Sequence, residues 1–240
     1  MNKKSWKFSH TATNLALGAL ILSVGFACLL PIERSVTTDG AEANVYRSAG
    51  SDTGAVSLMF NVYWGTEEVE RILEILSSHE ATATFFIGGC WADDNVECLK
   101  KIFEAGHELG NHGYFHKDHK TLGREANRKE IETCNEFVRL STGITPVLFA
   151  PPSGSYGKTA LEVAETLGMK TILWSRDTID WRDKDSALIY KRATKDIQGG
   201  EFVLMHPMKE TADALDDILK YYASQNLKAV SVSENLKGKG

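Results

Sequence analysis

From Ala55 onward the chain alternates short apolar runs with longer segments in which apolar positions recur every three or four residues. The runs fall at 55–60 (AVSLMF), 82–87 (TATFFI), 107–110 (HELG), 146–150 (PVLFA), 170–175 (KTILWS), 201–206 (EFVLMH) and 228–232 (KAVSV). Runs of this length, bounded by turn residues, read as strands, the most continuous of them as strands buried on both faces. Between most of them lie amphipathic helices. In 66–78 (TEEVERILEILSS), Val69, Ile72, Leu73 and Leu76 share one face; further helices are predicted at 95–105, 124–141, 157–167, 186–198 and 210–224. Gly106, Gly143 and Gly168 stand where helix C-caps belong. About seven βα units imply an α/β fold with a parallel sheet, either closed as a barrel or doubly wound. Neither GxGxxG nor GxxxxGK[ST] occurs, so a nucleotide cofactor is not expected.

The first 54 residues break this rhythm. Lys3, Lys4 and Lys7 precede an uncharged stretch from Thr11 to Ile32. It is long enough to cross a hydrocarbon layer of about 30 Å as a helix. The basic residues before it predict an N-terminal signal-anchor over 1–32, with the remainder exported. A cleaved signal peptide is the rival reading, in which the protein is secreted, but Ala41-Glu42-Ala43 comes late for a cleavage site. Lipid attachment at Cys28 fits less well because Phe26 stands just before Ala27. Residues 33–54 are polar and aperiodic, which reads as a linker, leaving 55–240 as the folded domain.

Composition changes little in this picture, but it excludes some functions. The 240 residues are 42% hydrophobic and 25% charged, with a net charge of -5. An acidic chain without a basic stripe does not fit a nucleic-acid partner. Outside the cytoplasm, Cys90 and Cys98 could pair across the short loop carrying Asp93, Asp94 and Asn95. No Cys/His spacing suits a structural zinc finger.

In a parallel barrel, chemistry gathers at the C-terminal ends of the strands. Those ends carry Asn61; His112 and His116 in NHGYFH; Ala150 to Gly154 in APPSG; Asp177, Asp180 and Trp181 in RDTIDW; and His206. Each has an ordinary alternative. Histidines at i and i+4 recur by chance, aspartates cap turns, paired prolines stiffen loops, and tryptophans pack cores. The joint placement on one rim is what points to an active site.

In order and spacing, these segments resemble the polysaccharide deacetylase family (the NodB-homology domain, carbohydrate esterase family four). The family's motifs TFDDG, H[ST]xxH, RxPxG or RPPxG, DxxDW and LxH align with MFNVYWG, HGYFH, APPSG, DTIDW and LMH. The resemblance covers about 55–236 and implies a distorted (β/α)7 barrel. The VYWG segment and the N-terminal anchor are similar to the sporulation-associated branch. The resemblance implies a divalent, zinc-type metal held by His112, His116 and a carboxylate, polarising an N-acetyl carbonyl and a water. It implies His206 as the acid, oriented by Asp180, and a substrate groove of Trp181, Leu204, Tyr156, Pro151 and Pro152. The sequence departs from the pattern at three positions. The base position is Asn61, the metal-carboxylate position is Val62, and the supporting arginine is Ala150. Asn61 cannot serve as a base near pH 7, and Val62 cannot ligate. The losses are mutually consistent, since an arginine without its carboxylate would be an unpaired buried charge.

Three functions follow. The first is a deacetylase of cell-wall glycans such as peptidoglycan or chitooligosaccharide, with activity reduced or lost and metal binding weakened. The second is a non-catalytic relative that binds glycan or a partner protein at the cell envelope or spore. The third, an unrelated βα enzyme, requires five motifs to coincide. Asp177 or Asp118 is the remaining candidate for a substitute carboxylate.

Overall fold

The computed structural model describes residues 44–50 and 53–238. The segment Thr11–Ile32 lies outside them. Among the described residues, no helix is long and apolar enough to cross a membrane.

Among the described residues nine strands form one sheet: β1 (Val45–Tyr46), β2 (Ala55–Val62), β3 (Thr84–Ile87), β4 (Glu108–Asn111), β5 (Leu148–Phe149), β6 (Lys170–Ile172), β7 (Arg176–Asp177), β8 (Phe202–Met205) and β9 (Lys228–Ala229). Their order is β1-β6-β5-β4-β3-β2-β8-β7, with β9 also pairing β2, and every ladder is parallel. The helices packed around them are α1 (Thr66–Ser78), α2 (Gly89–Asp94), α3 (Val96–Glu104), α4 (Arg124–Thr142), α5 (Lys158–Thr166), α6 (Asp180–Asp183), α7 (Ser186–Thr194), α8 (Lys209–Ser224) and α9 (Val232–Lys237).

The chain length between β6 and β7 forces the sheet to curl. The two strands lie six places apart in the order, yet only three residues, or four Cα steps, lie between Ile172 and Arg176. An extended link of that length reaches about 14 Å, whereas six strand spacings in a flat sheet measure about 29 Å. The outer strands are therefore drawn toward one another. Ser48 forms an antiparallel bridge with Glu201, and the Ala49 amide donates to Gly200 O at 2.8 Å, tying β1 to the approach of β8. The expected parallel barrel is thus found as a curled sheet.

Strand phase divides the core. Successive side chains of a strand point to opposite faces. Val56, Leu58, Phe60 and Val62 of β2 enter the larger cluster, shared with Val69, Ile72 and Leu76 of α1. Met59 instead joins Phe86, Ile172 and Phe202 in the smaller cluster inside the curl.

Three readings of the sequence are revised. Residues 33–54 were read as linker, but Val45–Tyr46 is an edge strand paired with β6, and Asn44 Nδ2 donates to Met169 O at 3.0 Å. Seven strands were expected; the two-residue strands β1 and β7 are additional. Cys90 and Cys98 do not pair with each other and are free thiols among the described residues; Cys98 packs in the helix-side core with Leu99 and Ile102.

Candidate functional site

The phase that fills the interior also delivers the polar groups to its mouth. Asn61 follows Met59 by two residues, His112 follows Gly110 by two, and Leu204 and then His206 follow Phe202 in two-residue steps, which keeps each on the same face. Gly110 has a packing reason: a Cβ there would lie 2.4 Å from the Phe86 ring. By the same phase Trp174 continues from Ile172, packs against the interior cluster and lines the mouth. The result is a pocket of about 330 Å³ bordered by Asn61, His112, His116, Asp177 and His206, with Trp64, Trp174, Trp181, Leu204 and Ser153 completing its wall.

His112 is buried, and its Nδ1 lies 2.7 Å from the Ala150 carbonyl. That acceptor fixes the proton on Nδ1 and leaves Nε2 with a lone pair. Burial, reinforced by neighbouring His116, pushes His112 down to about 3. Burial also lowers His116, whose ring meets His112 edge-on at 5.0 Å between centroids. Both imidazoles are therefore neutral at pH 7.

The loop between them is held from behind. Glu130 of α4, itself buried, accepts hydrogen bonds through Oε2 from the amides of Tyr114 (3.1 Å) and Phe115 (2.8 Å). Asn111 Oδ1 accepts from the Gly113 amide at 2.7 Å. His116 then closes the loop with φ at 52°, a conformation uncommon outside glycine. Glu130 was not picked out from the sequence. Its signal was a charged residue on the buried face of α4, in helical register with Ile131, Cys134 and Val138.

His206 and Asp180 form the second half of the site. Nδ1 of His206 lies 2.8 Å from Oδ1 of Asp180. The fully buried Asp180 carboxylate also accepts from the His206 amide (2.6 Å), the Trp181 amide (2.8 Å) and Thr211 Oγ1 (2.7 Å). Four donors thus hold one charge, and the imidazole is fixed with Nε2 free. Trp64 stacks over His206, with ring centroids 5.5 Å apart and planes within 5°. Thr211 gave no sequence signal, because it lies in the first turn of a helix that reads as an ordinary surface segment.

Of the residues singled out in the sequence, Asn61, His112, His116, Trp181, Leu204 and His206 border one pocket, with Asp180 directly behind. Pro151, Pro152 and Tyr156 do not line it; the Tyr156 hydroxyl instead accepts from Arg47 at 3.1 Å. Asp118 lies outside the pocket and accepts from Ser155 Oγ at 2.7 Å, so it does not replace the missing carboxylate. Asp177 borders the pocket, but its Oδ1 is taken by the Ile179 amide at 2.8 Å.

The donor set does not fit a zinc-type ion. Among the described residues, no three His, Cys, Asp or Glu side chains are grouped to hold a metal. Val62, at the position where a carboxylate was expected, packs in the helix-side core. Asn61 offers only an amide, and its Oδ1 is buried without a hydrogen-bond partner among the described residues. Zinc sites normally have at least three protein ligands; here there are two imidazoles.

The model for polysaccharide deacetylases matches residues 49–172. Over 203 residues the chain is 34% identical to the uncharacterized protein YlxY of Bacillus subtilis, covering 85% of this chain and 64% of that protein, just under two thirds of its length. It is 30% identical over 175 residues to a peptidoglycan-N-acetylglucosamine deacetylase of Bacillus cereus, covering 70% of this chain and 82% of the relative. Among solved structures, a CE4 family pseudoenzyme from Bacillus anthracis superposes with a TM-score of 0.78 at 36% identity, over 80% of this chain and 68% of the other. A mutant of that pseudoenzyme, described as having restored enzymatic activity, superposes with a TM-score of 0.78 at 34% identity, over 80% and 71% of the two chains.

Proposed function

The chain belongs to the polysaccharide deacetylase family, and from that premise we propose that it is a member without deacetylase chemistry, whose pocket binds cell-wall glycan. The observation that carries this reading is the end of β2. Its last inward-facing side chain is the uncharged amide of Asn61, and Val62 is turned into the core.

Amide hydrolysis needs a base to take a proton from the attacking water. Such bases contribute about 10²- to 10⁴-fold, and Asn61 supplies none. A metal ion bound here would polarise the scissile carbonyl, but the residues present do not fit one. His206 retains the geometry of a proton donor to a leaving amine, with Nδ1 fixed by Asp180. A positioned acid alone does not generate a nucleophile. The intact aromatic rim supports the binding half of the proposal, since half-exposed Trp181 and partly exposed Trp64 offer stacking faces to sugar rings. The similarity to a CE4 pseudoenzyme supports the catalytic half.

In this reading the partner is a cell-wall polysaccharide of the peptidoglycan class, as the name of the Bacillus cereus relative suggests. The apolar segment Thr11–Ile32 anchors the domain on the exported side of the membrane, supported by Lys3, Lys4 and Lys7 before it. A role at the spore envelope is consistent with the VYWG segment.

The test is acetate release from chitooligosaccharides and peptidoglycan with added zinc or cobalt. No turnover above the blank is expected. Metal-dependent turnover that disappears in His112→Ala or His206→Ala overturns the proposal.

A further inference from the structure

A second groove, of about 470 Å³, adjoins the pocket, and Asp177 borders both. It is lined by Arg176 of β7 and, from α7 and its C-cap, by Leu188, Lys191, Arg192 and Lys195, which recur at helical spacing. Four cationic side chains thus meet one acidic one, in a chain whose net charge is -5. The basicity is local, and the whole-chain charge conceals it.

The cations divide into two kinds. Arg176 closes the C-terminal end of α7, donating to the carbonyls of Arg192, Lys195 and Asp196 and pairing with Glu201 at 2.7 Å. Arg192 donates to Thr178 O at 2.8 Å and pairs with Asp183. Both guanidinium groups are consumed in fixing α7 against β7. Lys191 and Lys195 are different: both are exposed, stand one helical turn apart, and engage no acid among the described residues.

We infer that this groove is a subsite for the carboxylates of a peptide carried by the glycan in the adjoining pocket. The inference rests on the glycan-binding reading above and extends it from the sugar to its substituent. Placement selects this ligand. A substituent that leaves a sugar in the pocket for the groove meets Asp177 at their shared border, and Lys191 and Lys195 beyond it. An unbroken polyanion such as a phosphodiester chain would set negative charge against Asp177 as well as against the lysines. A peptide carries uncharged amides across the border and brings its carboxylates to the lysines. Exposed Leu188 gives its aliphatic side chains an apolar contact. Two ammonium groups on flexible stems also accept carboxylates at more than one spacing, where an arginine fork would demand a single geometry. A peptidoglycan strand carries acidic peptides of this kind on alternate sugars.

Calorimetry on the full chain in non-ionic detergent at pH 7 tests this with an N-acetylglucosaminyl-N-acetylmuramyl tetrapeptide and the same molecule with its carboxylates amidated. The free acid is expected to bind about fivefold more tightly, as two exposed ion pairs allow, and added salt should shrink the difference. The double variant Lys191→Gln/Lys195→Gln should bind the two forms alike, whereas Lys191→Arg/Lys195→Arg should keep the preference. Thermal melts matching the wild type establish that both fold; if the glutamine pair melts early, its single variants replace it under the same criterion. Equal affinity of the wild type for the two forms, a preference kept by the glutamine variant, or one lost in the arginine variant overturns the inference and leaves the glycan-binding proposal standing. Tighter binding of polyglycerol phosphate than of the free acid overturns it in favour of a phosphodiester polymer. Binding of neither form, with chitooligosaccharide also unbound, overturns both readings.

Discussion

Positions 61 and 62 are neighbours in sequence but face opposite sides of β2, so an aspartate at each does different work. Asn61→Asp places a carboxylate in the pocket with His112 and His116. It should give a zinc affinity measurable by calorimetry where the wild type has little, with the fold intact. Val62→Asp puts an uncompensated charge among Leu58, Phe60 and Val69. That should cost about 3–5 kcal/mol in urea unfolding. A stable, zinc-binding Val62→Asp protein would show instead that this side chain can turn into the pocket. Buried histidines give a second residue-scale prediction. Burial pushes His107 down to about 4 and His112 down to about 3, against about 6.5 in the unfolded chain. Between about pH 4 and 6.5 the unfolded chain therefore binds more protons, and stability rises with pH through that window. Once the unfolded histidines are protonated, each group contributes about 1.4 kcal/mol per pH unit. Urea midpoints should fall from pH 7 to pH 5; flat midpoints would mean that these rings are solvated in the fold.

At the scale of elements, the turn from β2 into α1 sets one wall of the pocket. Gly65 has φ at 80°, and a Cβ on it would lie 2.2 Å from the Pro207 carbonyl. That close approach brings the β2 end against the residue following His206 and lets Trp64 stack on its ring. Gly65→Ala should destabilise the fold by about 2 kcal/mol or more, from the left-handed backbone and the clash together. It should also move the His206 ring resonances seen by NMR, since Trp64 stacks on that ring. An unchanged melt with unchanged His206 ring resonances would remove the turn from the site's support. Other elements were legible to different degrees, for identifiable reasons. β2, β3 and β8 are apolar on both faces and announce themselves in sequence. β1 and β7 are two residues long and half-buried, too short to show a period. The site's polar residues were visible because each interrupts or ends an apolar run. Glu130 and Thr211 lie on helices, where a charge or hydroxyl in the buried register is easily taken for surface. Trp174 was read into its strand, although its phase with Ile172 placed it in the pocket wall.

For the whole molecule, curling makes the short edge strand β1 part of the site's foundation. Tyr46 packs on the interior cluster with Ile172 and Trp174, and Trp174 lines the pocket. Asn44, Ala49 and Arg47 add hydrogen bonds to Met169, Gly200 and Tyr156 respectively. The folded unit therefore extends upstream of Ala55, into residues whose polarity alone reads as a tether. Two truncated chains, beginning at Ala41 and at Gly54, isolate this contribution. The shorter chain loses the β1–β6 ladder, the three side contacts and the Tyr46 packing. With hydrogen bonds worth about 1 kcal/mol each net, and part of an aromatic ring re-exposed, the deficit should be about 3 kcal/mol. For a domain of this size that is a fall of about 6–12 °C in Tm. Trp174 would lose its support from one side, so binding of N-acetylated oligosaccharide should weaken along with stability. Equal melting temperatures and equal binding for the two chains would return residues 44–50 to the role of a linker. A lower melt with binding unchanged would confine β1 to holding the sheet's edge.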